Sequence, residues 1–286
     1  MAEFGEQLRK AREEKGMTQQ SLAEKVYVTR QTVSRWEGGE RYPDLVTVKK
    51  LAQVLGVDAG FLLSDDETHH IVERNPVVEK TAVNNVTLVL FAGIVISYII
   101  SVVGELIRIP SFPSVTASDV WVLGGNAISE LIGIAAFVAG FVWILKGAFS
   151  PKKVGSVMMA FFASVCIKGL AIFTTGAVVA NWFVAVIPVV IGVHGFVSSY
   201  FYFWKKQPAA IWHWLVMIVS ALGIIQAFYT LATTVVFATQ HVSAETALNA
   251  VLSICIYVLF CYQAHVLGVR RKLVSEITDE KLGVIS

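Results

Sequence analysis

Residues 17–57 read MTQQSLAEKVYVTRQTVSRWEGGERYPDLVTVKKLAQVLGV, and this stretch decides how the N-terminal part of the chain folds. Thr18 and Thr29 are capping-type residues, each standing just ahead of a run with apolar side chains at helical spacing. Behind Thr18, QQSLAEKV turns Leu22, Ala23 and Val26 inward; behind Thr29, RQTVSRWEG turns Val33 and Trp36 inward. Gly38-Gly39 stops that run, Asp44 caps LVTVKKLAQVL, Gly56 ends it, and Asp58 opens the short segment AGFLL. Toward the N-terminus, FGEQLRKAREEK at 4–15 places Phe4, Leu8 and Ala11 on one helical face, and Gly16 ends it. The pattern predicts five short helices within residues 4–64.

Beyond this region the composition changes. The whole chain is 55% hydrophobic and 15% charged, with a mean hydropathy of +0.65, where a soluble domain carries about 25% charged residues. Residues 1–80 hold 26 of the 44 acidic and basic residues, 12 basic and 14 acidic. The N-terminal region is therefore close to neutral, and any affinity for nucleic acid has to come from local placement of Arg and Lys. Four regions follow: a domain at 1–64, a polar linker at 65–81, a six-span transmembrane domain at 82–268 and a basic tail at 269–286.

The expected spans are 83–103, 122–145, 155–178, 182–203, 210–237 and 247–268, each long enough for a hydrocarbon layer of about 30 Å. Start Met1-Ala2-Glu3-Phe4 lacks a basic region followed by an apolar run, so residues 1–80 are expected in the cytosol. Six spans then put Lys146, Lys152, Lys153, Lys205, Lys206, Arg270, Arg271, Lys272 and Lys281 inside, and Glu105, Arg108, Asp119 and Glu245 outside, as the positive-inside rule requires. Trp121 and Trp182 at outer ends, and Trp204 and Trp212 at inner ends, fit an aromatic belt. The linker stretch SDDETHHIVERNPVVEK at 64–80 reaches about 55–60 Å when fully extended, which keeps any bound partner near the membrane. Its adjacent His69 and His70 have no further ligand nearby and read as solvated.

The quoted stretch resembles the XRE (lambda Cro/CI-type) helix-turn-helix family over about residues 4–64. The likeness rests on Thr18-Gln19, Ala23, Val33, Trp36-Glu37-Gly38, Pro43, and Leu51-Ala52 through Gly56-Val57 in register. It implies a five-helix lambda-repressor-like domain and a bacterial source. With the six-helix transmembrane bundle read from the apolar spans, the fold expected is all-α, in a cell-membrane protein whose N-terminal domain and tail are cytosolic. In this family the third helix lies in the major groove of double-stranded DNA. Carried over by position, Arg30, Gln31, Thr32, Ser34 and Arg35 face the bases, since Arg forks onto guanine and Gln onto adenine. Gln19 falls at the phosphate-contact position opening the second helix, and Arg41 with Gly38-Gly39 falls in the loop that meets phosphate. Arg12 and Glu37 match a buried structural ion pair. Specific binding by so neutral a domain implies a homodimer.

Ionisable and polar groups inside apolar spans are costly and carry a role. Glu130 and Lys168 lie eight to ten residues, roughly, from the outer face in adjacent antiparallel spans, where they can form a buried pair. His194 and Gln226 lie at mid-depth and can line a polar cavity with them or bridge helices. Cys166, Cys255 and Cys261 sit in apolar segments and have neither disulfide nor metal-ligand spacing. No metal or cofactor is expected. The chain has no HExxH, GxSxG, Walker A or dinucleotide fingerprint, so an enzyme is not expected.

The reading that unites these features is a membrane-tethered regulator of transcription, a repressor by resemblance. Its spans, more than anchoring needs, receive a small-molecule, peptide or membrane-protein signal. The alternative is a small transporter or immunity-type membrane protein with an autoregulatory helix-turn-helix. Against it, Pro188 is the one mid-span proline, so matched broken helices are missing.

Overall fold

The computed structural model describes residues 2–40, 42–43, 45–62, 77, 81–108, 117–173, 182–205, 209–236 and 244–281. Among these the chain is entirely helical and separates into two compact units. The N-terminal unit holds α1 (Ala2–Glu14), α2 (Gln19–Val26), α3 (Arg30–Glu37), α4 (Leu45–Leu55) and α5 (Ala59–Leu62). The Thr18 hydroxyl accepts from the Ser21 amide at 3.1 Å and the Thr29 hydroxyl from the Thr32 amide at 3.2 Å, so both threonines satisfy donors that an α-helix leaves open at its start. Gly16, Gly39 and Gly56 close α1, α3 and α4 in the left-handed region. Asp44, expected to cap α4, lies outside the described residues. The expected inward residues Phe4, Leu8, Ala11, Leu22, Ala23, Val26, Val33 and Trp36 are all buried. So are Val48, Leu51, Leu55 and Leu62 from α4 and α5.

One turn breaks the pattern. Helix α2 ends on Tyr27, which is left-handed at φ 61 and ψ 46 and donates its amide to the carbonyls of Ala23 and Glu24. A side chain there costs about 1–2 kcal/mol, which glycine would not incur. Tyr27 is 84% exposed, so burial does not offset that cost.

The second unit is built from α6 (Thr81–Arg108), α7 (Ala117–Leu145), α8 (Pro151–Phe173), α9 (Trp182–Trp204), α10 (Ala210–Val236) and most of α11 (Ala244–Lys281). Six segments of these helices are long and apolar enough to cross a membrane. Several helix boundaries differ from the expected spans; α6 runs on to Arg108 and α7 begins at Ala117, each five residues beyond the apolar run. Helix α8 begins at Pro151 rather than 155, because proline is suited to the first helical turn and the Ser150 carbonyl accepts from the amides of Lys153 and Val154, both at 3.0 Å. Its expected end at 174–178 lies outside the described residues. Helix α11 does not stop at 268 but runs on to Lys281, since charged residues end an apolar run without ending a helical one.

Consecutive helices α6 to α10 pack on their neighbours, α8 on α9 most extensively. Glycines permit the closest approaches. A Cβ added at Gly192 would lie 2.5 Å from the Cys166 Cβ, and one at Gly195 would strike the Phe162 ring. The Ala136 and Gly140 stripe of α7 is buried within the chain, where a Cβ at Gly140 would meet the Phe91 ring at 2.6 Å. The interior is aromatic. Phe161 of α8 lies 5.2 Å from Tyr257 and 5.5 Å from Phe260 of α11, both edge-on, and Phe91 of α6 lies 5.0 Å from Phe137 of α7. Apolar side chains such as Ile99, Leu131, Ile218 and Phe228 point outward.

Gly192→Val is expected to destabilise the detergent-solubilised chain by about 1–3 kcal/mol through overpacking. Gly124→Ala, whose added carbon meets nothing within 4 Å, leaves stability unchanged or higher. Tryptophan fluorescence during heating reads both.

Candidate nucleic-acid interface and a polar cluster among the apolar helices

The N-terminal unit is organised around one buried cation. The Arg12 and Glu37 side chains are 9% and 5% exposed. Arg12 Nε donates to Glu37 Oε1 at 2.6 Å and Nη2 to Oε2 at 3.1 Å, a two-pronged pairing that fits the flat guanidinium to the carboxylate. Nη1 donates to the Met17 carbonyl at 2.6 Å, and Nη2 reaches Glu13 Oε1 at 3.3 Å. The hydrogen bond to Glu37 raises the Arg12 pKa above its ordinary value against the opposing effect of burial. On the surface beside it, the hydrogen bond from Arg9 holds the Glu13 carboxyl below the usual carboxylate range.

This pairing fixes the end of α3 against α1, and so fixes what α3 presents. Arg30, Gln31, Ser34 and Arg35 are exposed on α3, on the side opposite buried Val33 and Trp36. Arg35 has a loose contact with Glu40 at 3.9 Å. Thr32 differs from its neighbours. Its hydroxyl is 2.8 Å from that of Thr29 and belongs to the cap. Gln19 also has a local partner, its side-chain amide donating to Glu37 Oε2 at 2.9 Å. As first residue of α2, it keeps a backbone N–H without an acceptor inside the helix. Arg9, Arg12, Gln19, Ser34, Glu37 and Gly38 line a polar hollow of about 310 Å³. The hollow joins the start of α2 to the exposed face of α3. Arg9 is absent from the sequence-derived set; its position three residues before Arg12 on the same helical face was the signal. Arg41 lies outside the described residues.

A second polar cluster lies among the apolar helices. Glu130 of α7 is 2% exposed. Its Oε1 accepts from Lys168 Nζ of α8 at 3.1 Å and from Ser101 Oγ of α6 at 2.6 Å. Its Oε2 has no partner among the described residues. The Lys168 ammonium, on a side chain 35% exposed, stands 5.2 Å from the centre of the Tyr98 ring. Ser101 and Tyr98 escaped the sequence reading, although hydroxyls at 97, 98 and 101 in one apolar span were the available mark. His194 is apart from this cluster. It faces outward on α9, its Nδ1 2.9 Å from the Val190 carbonyl. Gln226 is half-buried on α10, with its side-chain oxygen unpartnered among the described residues. The structure thus brings Glu130 and Lys168 together and leaves His194 outside.

Residues 8–62 match the helix-turn-helix family. The HTH-type transcriptional activator BcrR of Enterococcus faecalis is 38% identical over 71 residues, 25% of this chain and 35% of that protein. The SPbeta prophage-derived HTH-type regulator YonR of Bacillus subtilis is 47% identical over 60 residues, 21% of this chain and 56% of that protein. An uncharacterized HTH-type transcriptional regulator of Methanothermobacter thermautotrophicus is 40% identical over 62 residues, 21% of this chain but 90% of that protein. The chain thus spans about a third and about half the length of the first two. No solved structure matches.

Glu37→Ala leaves the Arg12 guanidinium buried without its counter-ion. It is expected to destabilise the N-terminal unit by about 3–5 kcal/mol, read as faster amide exchange in α1–α3 with α8 and α9 unaffected. In the other cluster, Lys168→Met is expected to lower the thermal midpoint more than the double substitution Glu130→Met with Lys168→Met. The single change strands a carboxylate in an apolar setting and the double change does not.

Proposed function

The chain belongs to the helix-turn-helix transcriptional regulators, and on that footing we propose that it is a membrane-tethered, sequence-specific DNA-binding regulator whose apolar helices receive a signal. The observation that carries the reading is the exposed row Arg30, Gln31, Ser34 and Arg35, held by a buried ion pair, in the same chain as six helices apolar enough to cross a membrane. Arg and Gln are the side chains that fork onto guanine and adenine edges, and an α-helix fits the major groove. The backbone N–H groups opening α2, with Arg9 at the rim of the hollow, supply an anion site for the flanking phosphates. Arg41 is assigned to the same backbone.

We place both the N-terminal unit and the C-terminal end in the cytosol. Supporting this, Lys152 and Lys153 at the start of α8 and Lys205 at the end of α9 stand over Trp204, Trp143 and Phe201 at 6.0, 5.5 and 4.6 Å. Cations snorkelling beside aromatics are what an inner membrane boundary selects. A homodimer supplies the second half-site that a nearly neutral domain needs. Repression is proposed from the likeness to phage repressors, but one relative is named an activator, so the sign is read from experiment. The signal-receiving region is assigned to Glu130, Lys168 and Ser101, a charged cluster retained where apolar side chains would pack at lower cost. A transport reading draws on the same unpartnered Glu130 oxygen; flux that survives deletion of residues 1–64 decides for it.

Chromatin immunoprecipitation of the full chain is expected to recover discrete genomic sites. Arg30→Ala with Gln31→Ala is expected to abolish recovery without changing membrane abundance, and target transcripts rise for a repressor or fall for an activator. Unchanged occupancy and transcripts in that variant would sink the proposal.

A further inference from the structure

Among the described residues, five lie in the left-handed backbone region. Four are glycines, Gly16, Gly39, Gly56 and Gly147, and the fifth is Tyr27. The exception stands two residues ahead of Thr29, the cap of α3. Its ring is 84% exposed, and the Lys50 ammonium of α4 lies 4.2 Å from the ring centre. The exposed contact with Lys50 is too weak to offset the strained backbone in the isolated unit, and such outliers concentrate where a protein meets a ligand. The surface cation–aromatic contact is the weak, solvent-exposed kind.

The chemistry and position specify the partner. Tyr27 offers a hydroxyl donor on a rigid arm, and Lys50 offers a compact positive charge with N–H donors to spare. Together they suit an oxygen-rich monoanion, a phosphate diester. With α3 in the major groove, its first residues touch base edges. The chain entering α3 must therefore cross the sugar–phosphate wall of the groove. Two residues span at most about 7 Å, so exposed Tyr27 stays close to the cap that leads into the groove. We propose that Tyr27 and Lys50 form a phosphate clamp that grips the DNA backbone beside the groove read by α3. The clamp rests on the DNA-binding reading above. It adds sequence-independent affinity at a place where the domain's near-neutral charge supplies little. It also explains why tyrosine occupies a turn that glycine would make without strain.

The test uses the full chain in nanodiscs and duplexes selected by the wild-type protein from a random library, with scrambled duplexes beside them. Fluorescence anisotropy reads affinity across a salt series. Tyr27→Gly and Lys50→Ala are each expected to weaken selected and scrambled duplexes by the same factor, about three- to tenfold. Lys50→Ala is expected to reduce the slope of log affinity against log salt by about 1. Amide exchange in α2 and α3 of Tyr27→Gly stays as slow as in wild type, or slows, because glycine relieves the backbone. Arg30→Ala, by contrast, narrows the gap between selected and scrambled duplexes. Wild-type affinity in both clamp variants overturns the clamp and leaves the DNA-binding reading standing. So does weaker binding that is accompanied by faster amide exchange, which marks a structural role. A wild-type chain that retains no duplex at all overturns both.

Discussion

Within the N-terminal unit, the position of the exposed face of α3 depends on a single buried guanidinium. Arg12 is on α1, Met17 on the connection to α2, and Glu37 at the last turn of α3. Gln19 brings the first residue of α2 to the same carboxylate. Three elements therefore converge on one charge pair, and a helix of only eight residues is held at its far end by something stronger than its own propensity. A buried pair of this kind is weak support for stability, because desolvation consumes most of its Coulombic gain. Its value lies in orientation. The two-pronged geometry tolerates little rotation, so the guanidinium sets the angle at which Arg30, Gln31, Ser34 and Arg35 leave the surface.

The apolar unit solves a different problem with the same device. In the proposed membrane setting lipid is as apolar as leucine, so helices gain little by hiding apolar faces from it and associate through close packing and shared polar groups. Gly192 and Gly195 let α9 approach α8 to backbone distance, and the Phe161, Tyr257 and Phe260 rings fill the interior on the other side. Glu130 is then an expense that packing does not require. Two donors converge on one of its oxygens while the other is bare among the described residues. A purely structural pair would be expected to satisfy both oxygens, as Glu37 does with Arg12 and Gln19. That asymmetry is what supports the proposed role of the cluster in signal reception.

Much of this was legible in the residues themselves. Caps at Thr18 and Thr29, glycine stops, and apolar spacing specify the short helices because each acts within a few residues of chain. Arg12 with Glu37 was legible only through family register, since nothing in spacing alone relates residues 25 apart in sequence. Glu130 with Lys168, which meet at 3.1 Å, was legible from similar positions in adjacent antiparallel apolar runs, where charged residues are few. What escaped was set by rotation about helix axes. Depth grouped His194 with Glu130, yet the azimuth of α9 turns it outward. Ser101 and Tyr98 were invisible for the converse reason, being ordinary residues made important by what they face. Tyr27 was missed because its left-handed turn is a backbone property, and the usual marker of such a turn, glycine, is absent.

The charge of the N-terminal unit makes sense only beside the rest of the chain. A free regulator gains from a basic surface, which speeds its search along DNA. In the proposed arrangement the unit is tethered within a linker's length of the cytoplasmic leaflet, whose anionic lipids attract each nearby Lys or Arg by about 1 kcal/mol. A strongly basic domain would then be drawn to headgroups, and its reading face would compete with the bilayer for every encounter. Twelve basic residues against 14 acidic ones in residues 1–80 remove that bias. Cations are instead kept where geometry restricts their partners: Arg12 is buried on Glu37, Lys50 is stacked on Tyr27, and Arg30 sits on the short helix shaped for a groove. Near-neutrality is thus consistent with DNA binding at a membrane and favours placement over bulk charge as the source of affinity.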